Sequence, residues 1–282
     1  MAQRIDNRIL DALVCPCCGA PLGCSDNGKS LLCSAPRRHC FDFSADGYVN
    51  LATAHHGGGD SKQAVRSRTE FLESGAYEPV SDAVNKILCD FLLGGGLVVD
   101  AGCGEGYYSC RAAENSFDVI GFDLSKDGVA QAAKRARRKG LSNTFFGVGS
   151  VYAMPLRDKS ADAVINIFAP CAEEEYCRLL KDGGILAVAY AGREHLMGLK
   201  RQIYDTVYEN EERADMPRSM KLVEERRVRF DLTLRGSAQI MALFSMTPYY
   251  WRTSPEDKNK LLGVEELTTE VDIIIAIYKK EI

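Results

Sequence analysis

The segment Val98-Val99-Asp100-Ala101-Gly102-Cys103-Gly104-Glu105-Gly106-Tyr107-Tyr108 restricts the fold more than any other. A run of strand-type apolar residues meets an acid, and three glycines then occupy alternate positions. Glycines at the end of a parallel strand let the backbone turn tightly and let a ligand lie against bare main chain. From about Ala64 onward the flanking sequence keeps that rhythm. Strand-like VIGFDL (119–124), TFFGVGS (144–150), ADAVINIFAP (161–170) and DGGILAVAYAG (182–192) alternate with segments of helical spacing such as KDGVAQAAKRARRKG (126–140). Near-continuous apolar strands separated by helices predict an α/β chain with a doubly wound, mostly parallel sheet of Rossmann-like type. RRVRFDLTL (226–234) and ELTTEVDIIIAIYK (266–279) predict two further strands that complete it.

The first 48 residues differ in texture, with many Cys, Gly and Pro and little helical periodicity, and HHGGGDSKQ (55–63) has the composition of a flexible connector. The expected division is a small module over residues 1–50, a linker over 51–63 and the α/β domain over 64–282. A chain of 282 residues is long enough for one large domain and a satellite. It contains no run of the ~20 apolar residues that would cross a bilayer, and its first residues, MAQRIDNRILDAL, lack a secretory signal. The expected location is the cytoplasm. The net charge of −4 does not mark a nucleic-acid binder. Basic residues are bunched, however, at Arg37-Arg38, at Lys134-Arg135 with Arg137-Arg138-Lys139, and at Arg226-Arg227 with Arg229. Each cluster is open to two explanations, a solvated face or a phosphate contact.

A dinucleotide loop has the spacing G-x-G-x-x-G and seats a pyrophosphate on a helix N-terminus. Here the spacing is G-x-G-x-G, with Asp100 before it and Glu105 within it. Carboxylates repel a pyrophosphate but suit a ligand carrying an ammonium and a sulfonium, such as S-adenosylmethionine. Asp123 ends the next strand and is of the type that accepts from ribose hydroxyls. Binding of NAD is the competing assignment, and the glycine spacing counts against it.

Eleven cysteines are many for a reducing compartment, and five of the six in the first 40 residues lie between Cys15 and Cys33. Cys15-x-x-Cys18 has zinc-knuckle spacing, and the other pair of ligands must come from Cys33, His39 and Cys40. A segment this poor in apolar residues needs a metal to fold. The alternatives are a redox Cys-x-x-Cys, which would open a helix after a strand, and free thiols in a loop. The five scattered cysteines are expected to act as small hydrophobes.

Taken in order, CPCCGAPL (15–22), CSAPRRHCFDFSADGYVNL (33–51), DAGCGEGYY (100–108), IFAPC (167–171), REHLMGLK (193–200) and SMTPYYWR (245–252) span nearly the whole chain. Gly102, Gly104, Gly106 and Asp123 resemble the cofactor positions of class I S-adenosylmethionine-dependent methyltransferases. The full series resembles the RlmA family of large-subunit ribosomal RNA guanine-N1-methyltransferases. That resemblance implies a class I methyltransferase fold with a small N-terminal zinc-binding, RNA-recognising module. It implies zinc on Cys15, Cys18, Cys33 and His39, although the Cys33-to-His39 loop departs in length and Cys40 stands beside it. It further implies that Tyr77, Gly106, Tyr107 and His195 contact the cofactor, that the substrate is a hairpin of 23S rRNA, and that a homodimer is a candidate assembly.

Phe168-Ala169-Pro170 stands where many exocyclic-amine methylases carry Asn-Pro-Pro-Tyr, which disfavours an adenine or cytosine amino group as acceptor. Guanine N1 carries a proton that must leave around the time of attack. Asp100, Glu105 and His195 are the candidate bases, and the sequence does not choose among them. Tyr249, Tyr250 and Trp251 have the chemistry to stack on a base, but Trp251 is expected in the core. Two other functions compete: an antibiotic-tailoring small-molecule methyltransferase with a structural zinc site, and an RNA-binding module with an inactive cofactor fold.

Overall fold

The computed structural model describes residues 5–53, 60–211 and 217–281. Its first element is helix α1 (Asn7–Ala12), whose N-cap carboxylate, Asp6, accepts from the Arg8 N–H at 2.8 Å. Six residues are too few to display a helical period, so the sequence of this region did not announce it. Strands β1 (Leu22–Cys24), β2 (Ser30–Cys33) and β3 (Cys40–Asp42) then form a small antiparallel sheet. The next elements are β4 (Val49–Asn50), α2 (Lys62–Glu73), α3 (Glu78–Phe91), β5 (Leu97–Ala101), α4 (Tyr107–Glu114), β6 (Asp118–Asp123), α5 (Lys126–Arg138) and β7 (Thr144–Val148). After them come β8 (Ala161–Ile167), α6 (Glu173–Leu179), β9 (Leu180–Ala191), α7 (Met197–Ile203), β10 (Lys221–Arg235), α8 (Ser237–Ser245), α9 (Tyr249–Arg252), α10 (Pro255–Asn259) and β11 (Glu266–Lys279).

Eight strands share one sheet in the order β10-β11-β9-β8-β5-β6-β7-β4. The pairs from β9 to β4 are parallel, and β11 runs antiparallel to both β9 and β10. Alternate residues of a strand face opposite sides. Val98, Val119 and Ile165 therefore enter one buried cluster, while Leu97, Val99, Ile120 and Phe122 enter the other. With both faces covered, β5 is buried along its whole length, which explains its continuous apolar run. The chain moves outward from β5 through β6 to β7, then returns to place β8 on the other side of β5. That reversal opens a crevice at the C-terminal ends of β5 and β8, the place where open α/β sheets bind ligands.

The N-terminal segment is joined to this sheet rather than tethered to it. Val49 and Asn50 pair with Gly147 and Val148 as the sheet's edge strand, and the Leu51 N–H continues the ladder to the Val148 carbonyl at 2.9 Å. Ile9 and Leu13 lie in the same core as Leu97 and Ile120, and Arg8 pairs with Asp118 of β6 at 2.9 Å. Most of the connector expected at 55–63 lies outside the described residues. At its far end, Ser61 caps α2 through the Ala64 N–H at 3.3 Å.

Two expectations need correction. Trp251 is 71% exposed, because on the single turn of α9 the inner positions go to Tyr249, bonded to Asn210, and Tyr250, edge-on to Phe244. Of the scattered cysteines, Cys103 and Cys110 are buried but Cys89 is exposed. The basic clusters on α5 and β10 are largely engaged within the protein. Lys134 pairs with Asp46, Arg135 with Glu105 and Glu73, Arg138 with Glu73, and Lys139 with Glu114. Arg226 pairs with Asp90, Arg227 with the buried Asp272, and Arg229 with Glu194.

Because Ile9 is fully buried in the core shared with the sheet, Ile9→Ala should lower the stability of the main cooperative transition by about 2–5 kcal/mol in urea titrations. A loss confined to a separate, earlier transition would show that α1 is an appendage.

Candidate functional site

The loop after β5 carries Gly102, Gly104 and Gly106 at φ values of +85°, +52° and +73°. Two of these glycines answer to packing. A Cβ on Gly102 would lie 2.6 Å from the Cβ of Ala169, beyond β8, and one on Gly106 would lie 2.6 Å from the Cβ of Ala132 on α5. Gly104 is different, since its Cβ would meet only the tip of the Arg68 side chain at 3.5 Å. It is a bare stretch of main chain beside a movable group, as a cradle for a ligand requires.

The acids around this cradle are held in distinct ways. The Asp123 carboxylate accepts from the Gly104 N–H at 3.0 Å and the Ser125 N–H at 2.7 Å. Burial raises its pKa, against the pull of those two N–H groups. Asp100 is almost wholly buried and accepts from the Ser109 hydroxyl at 2.5 Å. Burial pushes its carboxyl up to about 7; the Ser109 bond opposes that rise, and the charges of Glu105 and Asp123 add to it. Glu105 is buried against the Arg135 guanidinium at 3.3 Å. Arg68 reaches over from α2, held by Asp60 at 2.5 Å. A buried Asp100 with the charges of Glu105 and Asp123 close by is a site for a cation, so it fits the ammonium and sulfonium of S-adenosylmethionine.

Tyr77 and His195 form the opposite wall, with the Tyr77 hydroxyl 3.4 Å from His195 Nε2. The Asp272 N–H donates to His195 Nδ1 at 3.2 Å, which assigns the imidazole proton to Nε2. Burial lowers the imidazole pKa to about 4, with Lys200 adding to that effect and Asp272 opposing it. His195 is thus a neutral donor whose acceptor nitrogen is already used. It cannot serve as the base for guanine N1, and Glu105, paired with Arg135, is also engaged. Asn210 braces this wall, donating from Nδ2 to the His195 carbonyl at 2.9 Å. Tyr107 is placed differently from the other expected residues. Its ring lies under the Arg135 guanidinium, 5.6 Å from the centroid, and lines a separate depression of about 220 Å³ with Glu73, Glu78 and Arg111. Its main chain, at the start of α4, is what borders the glycine loop.

In the N-terminal module, Cys15 Sγ, Cys18 Sγ, Cys33 Sγ and His39 Nδ1 all lie within 4.8 Å of one another. The His39 nitrogen is 3.4, 3.6 and 3.4 Å from the three sulfurs, and Cys18 and Cys33 are 4.0 Å apart. Tetrahedral zinc with bonds of about 2.3 Å to sulfur and about 2.0 Å to nitrogen sets edges of about 3.8 Å between sulfurs and about 3.5 Å between sulfur and nitrogen. The cluster has the dimensions and the donors of a zinc site. The His39 N–H, 3.1 Å from the Cys33 sulfur, helps lower that thiol's pKa to about 6. Cys40 is exposed and its sulfur faces Asp42 at 3.7 Å, away from the cluster.

Arg68, Ser109 and Phe168 border the cleft without having been singled out as site residues. Arg68 lies in an ordinary amphipathic helix and Ser109 is a lone hydroxyl nine residues after Asp100, so neither carries a spacing that marks it. Phe168 was visible within IFAPC and as a departure from another family's motif, neither of which gives it a role.

The cluster geometry predicts one zinc per chain in metal analysis of the purified protein. Cys33→Ser should lose the metal and the ordered β1–β3 sheet, whereas Cys40→Ser should keep both. Equal zinc loss in the two variants would contradict the assignment.

Comparison with known proteins agrees with both halves of the structure. A family model described as "RlmA, N-terminal" matches residues 13–58, and one described as "Methyltransferase domain" matches residues 94–241. A Bacillus subtilis protein named "Putative 23S rRNA (guanine-N(1)-)-methyltransferase YxjB" is 31% identical, over 93% of this chain and 96% of its own length. The Streptomyces fradiae protein named "23S rRNA (guanine(748)-N(1))-methyltransferase" is 30% identical, over 93% of this chain and 95% of its own. An acid-lined cleft at the switch point of the sheet and a Cys₃His ribbon built onto its edge thus occur together in a chain that belongs to the RlmA family of S-adenosylmethionine-dependent ribosomal RNA guanine-N1-methyltransferases.

Proposed function

We propose that this enzyme transfers a methyl group to N1 of one guanine in a hairpin of 23S rRNA. The observation that carries this conclusion is the match along 93% of the chain, ribbon included, to a relative named for that reaction. S-adenosylmethionine supplies a methyl group already activated on a sulfonium. The residues of this chain bind it, orient it and present the acceptor. Gly102, Gly104, Gly106 and the main chain of Tyr107 cradle it. Asp123 accepts from its ribose hydroxyls, and Asp100 faces its ammonium. His195 donates from Nε2 to its carboxylate, with Tyr77 beside it, and Arg68 supplies a cation there. Cys15, Cys18, Cys33 and His39 hold zinc, which cross-links a module too small to bury a core of its own.

Arg37 and Arg38 lie on the loop between Cys33 and His39, exposed and with no ion-pair partner among the described residues. With the α5 and β10 clusters paired internally, these two cations are the better candidates for gripping RNA phosphates. Among the described residues no helix is long and apolar enough to cross a membrane. We place the reaction in the cytoplasm, with a homodimer as the assembly to be tested by sedimentation.

The direct test is primer extension on 23S rRNA from a strain lacking the gene, incubated with the enzyme and cofactor. A new stop at one guanine is expected. Its absence at every guanine, with transfer to a small metabolite instead, would favour the antibiotic-tailoring alternative.

Asp100 must be ionised to face a cation, and its carboxyl takes up a proton as pH falls through about 7. Calorimetric affinity for the cofactor should therefore weaken below that pH, by up to about tenfold per pH unit, and Asp100→Asn should flatten the profile. A flat wild-type profile between pH 5.5 and 8 would remove Asp100 from this role. Replacing Arg37 and Arg38 together by Ala should weaken hairpin binding and reduce the salt slope by about 1–2.

A further inference from the structure

Phe168 follows β8 directly and has φ +55°. A bulky residue in left-handed backbone is strained, and such strain persists where the surroundings enforce it, often at ligand-binding positions. The enforcement here is visible. The Phe168 N–H donates to the Ala189 carbonyl at 3.1 Å, and Ala169 fills the space that Gly102 leaves free. The Pro170 carbonyl accepts from Asn166 Nδ2 at 2.8 Å and from the Tyr176 hydroxyl at 3.0 Å.

The ring that this strained turn presents is not part of the core. Phe168 is 47% exposed, whereas Val164 and Ile165 just before it on β8 are fully buried. It lies nearly parallel to the His195 imidazole, at 20° with centroids 6.2 Å apart. His195 is fixed by the Asp272 N–H and braced by Asn210. An aromatic ring backed by an immobile one therefore stands at the C-terminal end of β8, next to the Ala169 that meets Gly102 of the glycine loop. A hydrophobic side chain left in water at such a position calls for a flat apolar partner rather than a phosphate.

We propose that Phe168 is the platform on which the target guanine stacks once it has left its helix, positioning N1 for transfer. This rests on the function proposed above. A guanine buried in a hairpin must be unstacked before its N1 can be reached, and an aromatic face replaces the stacking it loses. The stack fixes the plane of the base and leaves recognition of its edge to other groups. Phe168 is accordingly a positioning residue that acts after the hairpin has docked.

The test compares the wild type with Phe168→Leu, Phe168→Trp and Phe168→Gly on the mapped hairpin at saturating cofactor. Phe168→Leu should lower kcat by about 10- to 100-fold, with little change in KM for the hairpin or in cofactor affinity. Phe168→Trp should recover most of the lost rate. Phe168→Gly relieves the backbone, so it should keep or raise the melting temperature while losing activity as the Leu variant does. With 2-aminopurine in place of the target guanine, the Leu variant should give a brighter complex than the wild type, because no ring quenches the extruded base. Wild-type kcat in the Leu variant, beside an active wild type, would overturn this proposal alone. A wild type that methylates no guanine would overturn the functional proposal and this one with it.

Discussion

The N–H groups of Gly104 and Ser125 converge on the Asp123 carboxylate, and the shape of the cleft depends on that convergence. A buried carboxylate is costly unless hydrogen bonds compensate it. Here the compensation ties the end of β6 to the loop after β5. With the loop held there, and by the Gly102 and Cys103 N–H groups donating to the Phe122 carbonyl, Gly102 meets Ala169 beyond β8 and Gly106 meets Ala132 on α5. Those close contacts leave Gly104 facing only the tip of the Arg68 side chain. Two of the three glycines are therefore required by packing.

Charge in this protein is arranged by burial more than by count. The visible basic runs on α5 and β10 neutralise acids of neighbouring elements, and Arg227 satisfies an Asp272 that is wholly buried. Breaking such a pair would strand a buried charge, so these arginines serve the fold first. In the cleft the balance is reversed. Asp100 is buried with a hydroxyl for a partner and like charges nearby, which is unfavourable in isolation and suited to a ligand that brings positive charge.

The ribbon and the sheet are mechanically one unit. Val49 and Asn50 leave the small module and immediately pair with β7, while Ile9 and Leu13 pack into the core beneath β5 and β6. A module whose own interior is set by four metal-binding side chains is thereby held at a defined place on the sheet's edge. It cannot rotate freely relative to the cleft.

The fold class was legible in the sequence because strands buried on both faces are written as unbroken apolar runs, as in Leu97–Ala101, and the alternating helices carry a 3.6-residue period. The glycine turn after β5 and the Cys15-x-x-Cys18 pair were legible too, since both depend on residues close together in the chain. The tautomer of His195 was not, because it is set by the backbone of Asp272, 77 residues away. The partners of Glu105 and Arg227, the exposure of Trp251 and the strained, open ring of Phe168 were equally hidden. Local spacing encodes what a segment can do by itself. Which side chain is neutralised, protonated or left bare depends on what the fold brings against it, and that was decided by tertiary structure alone.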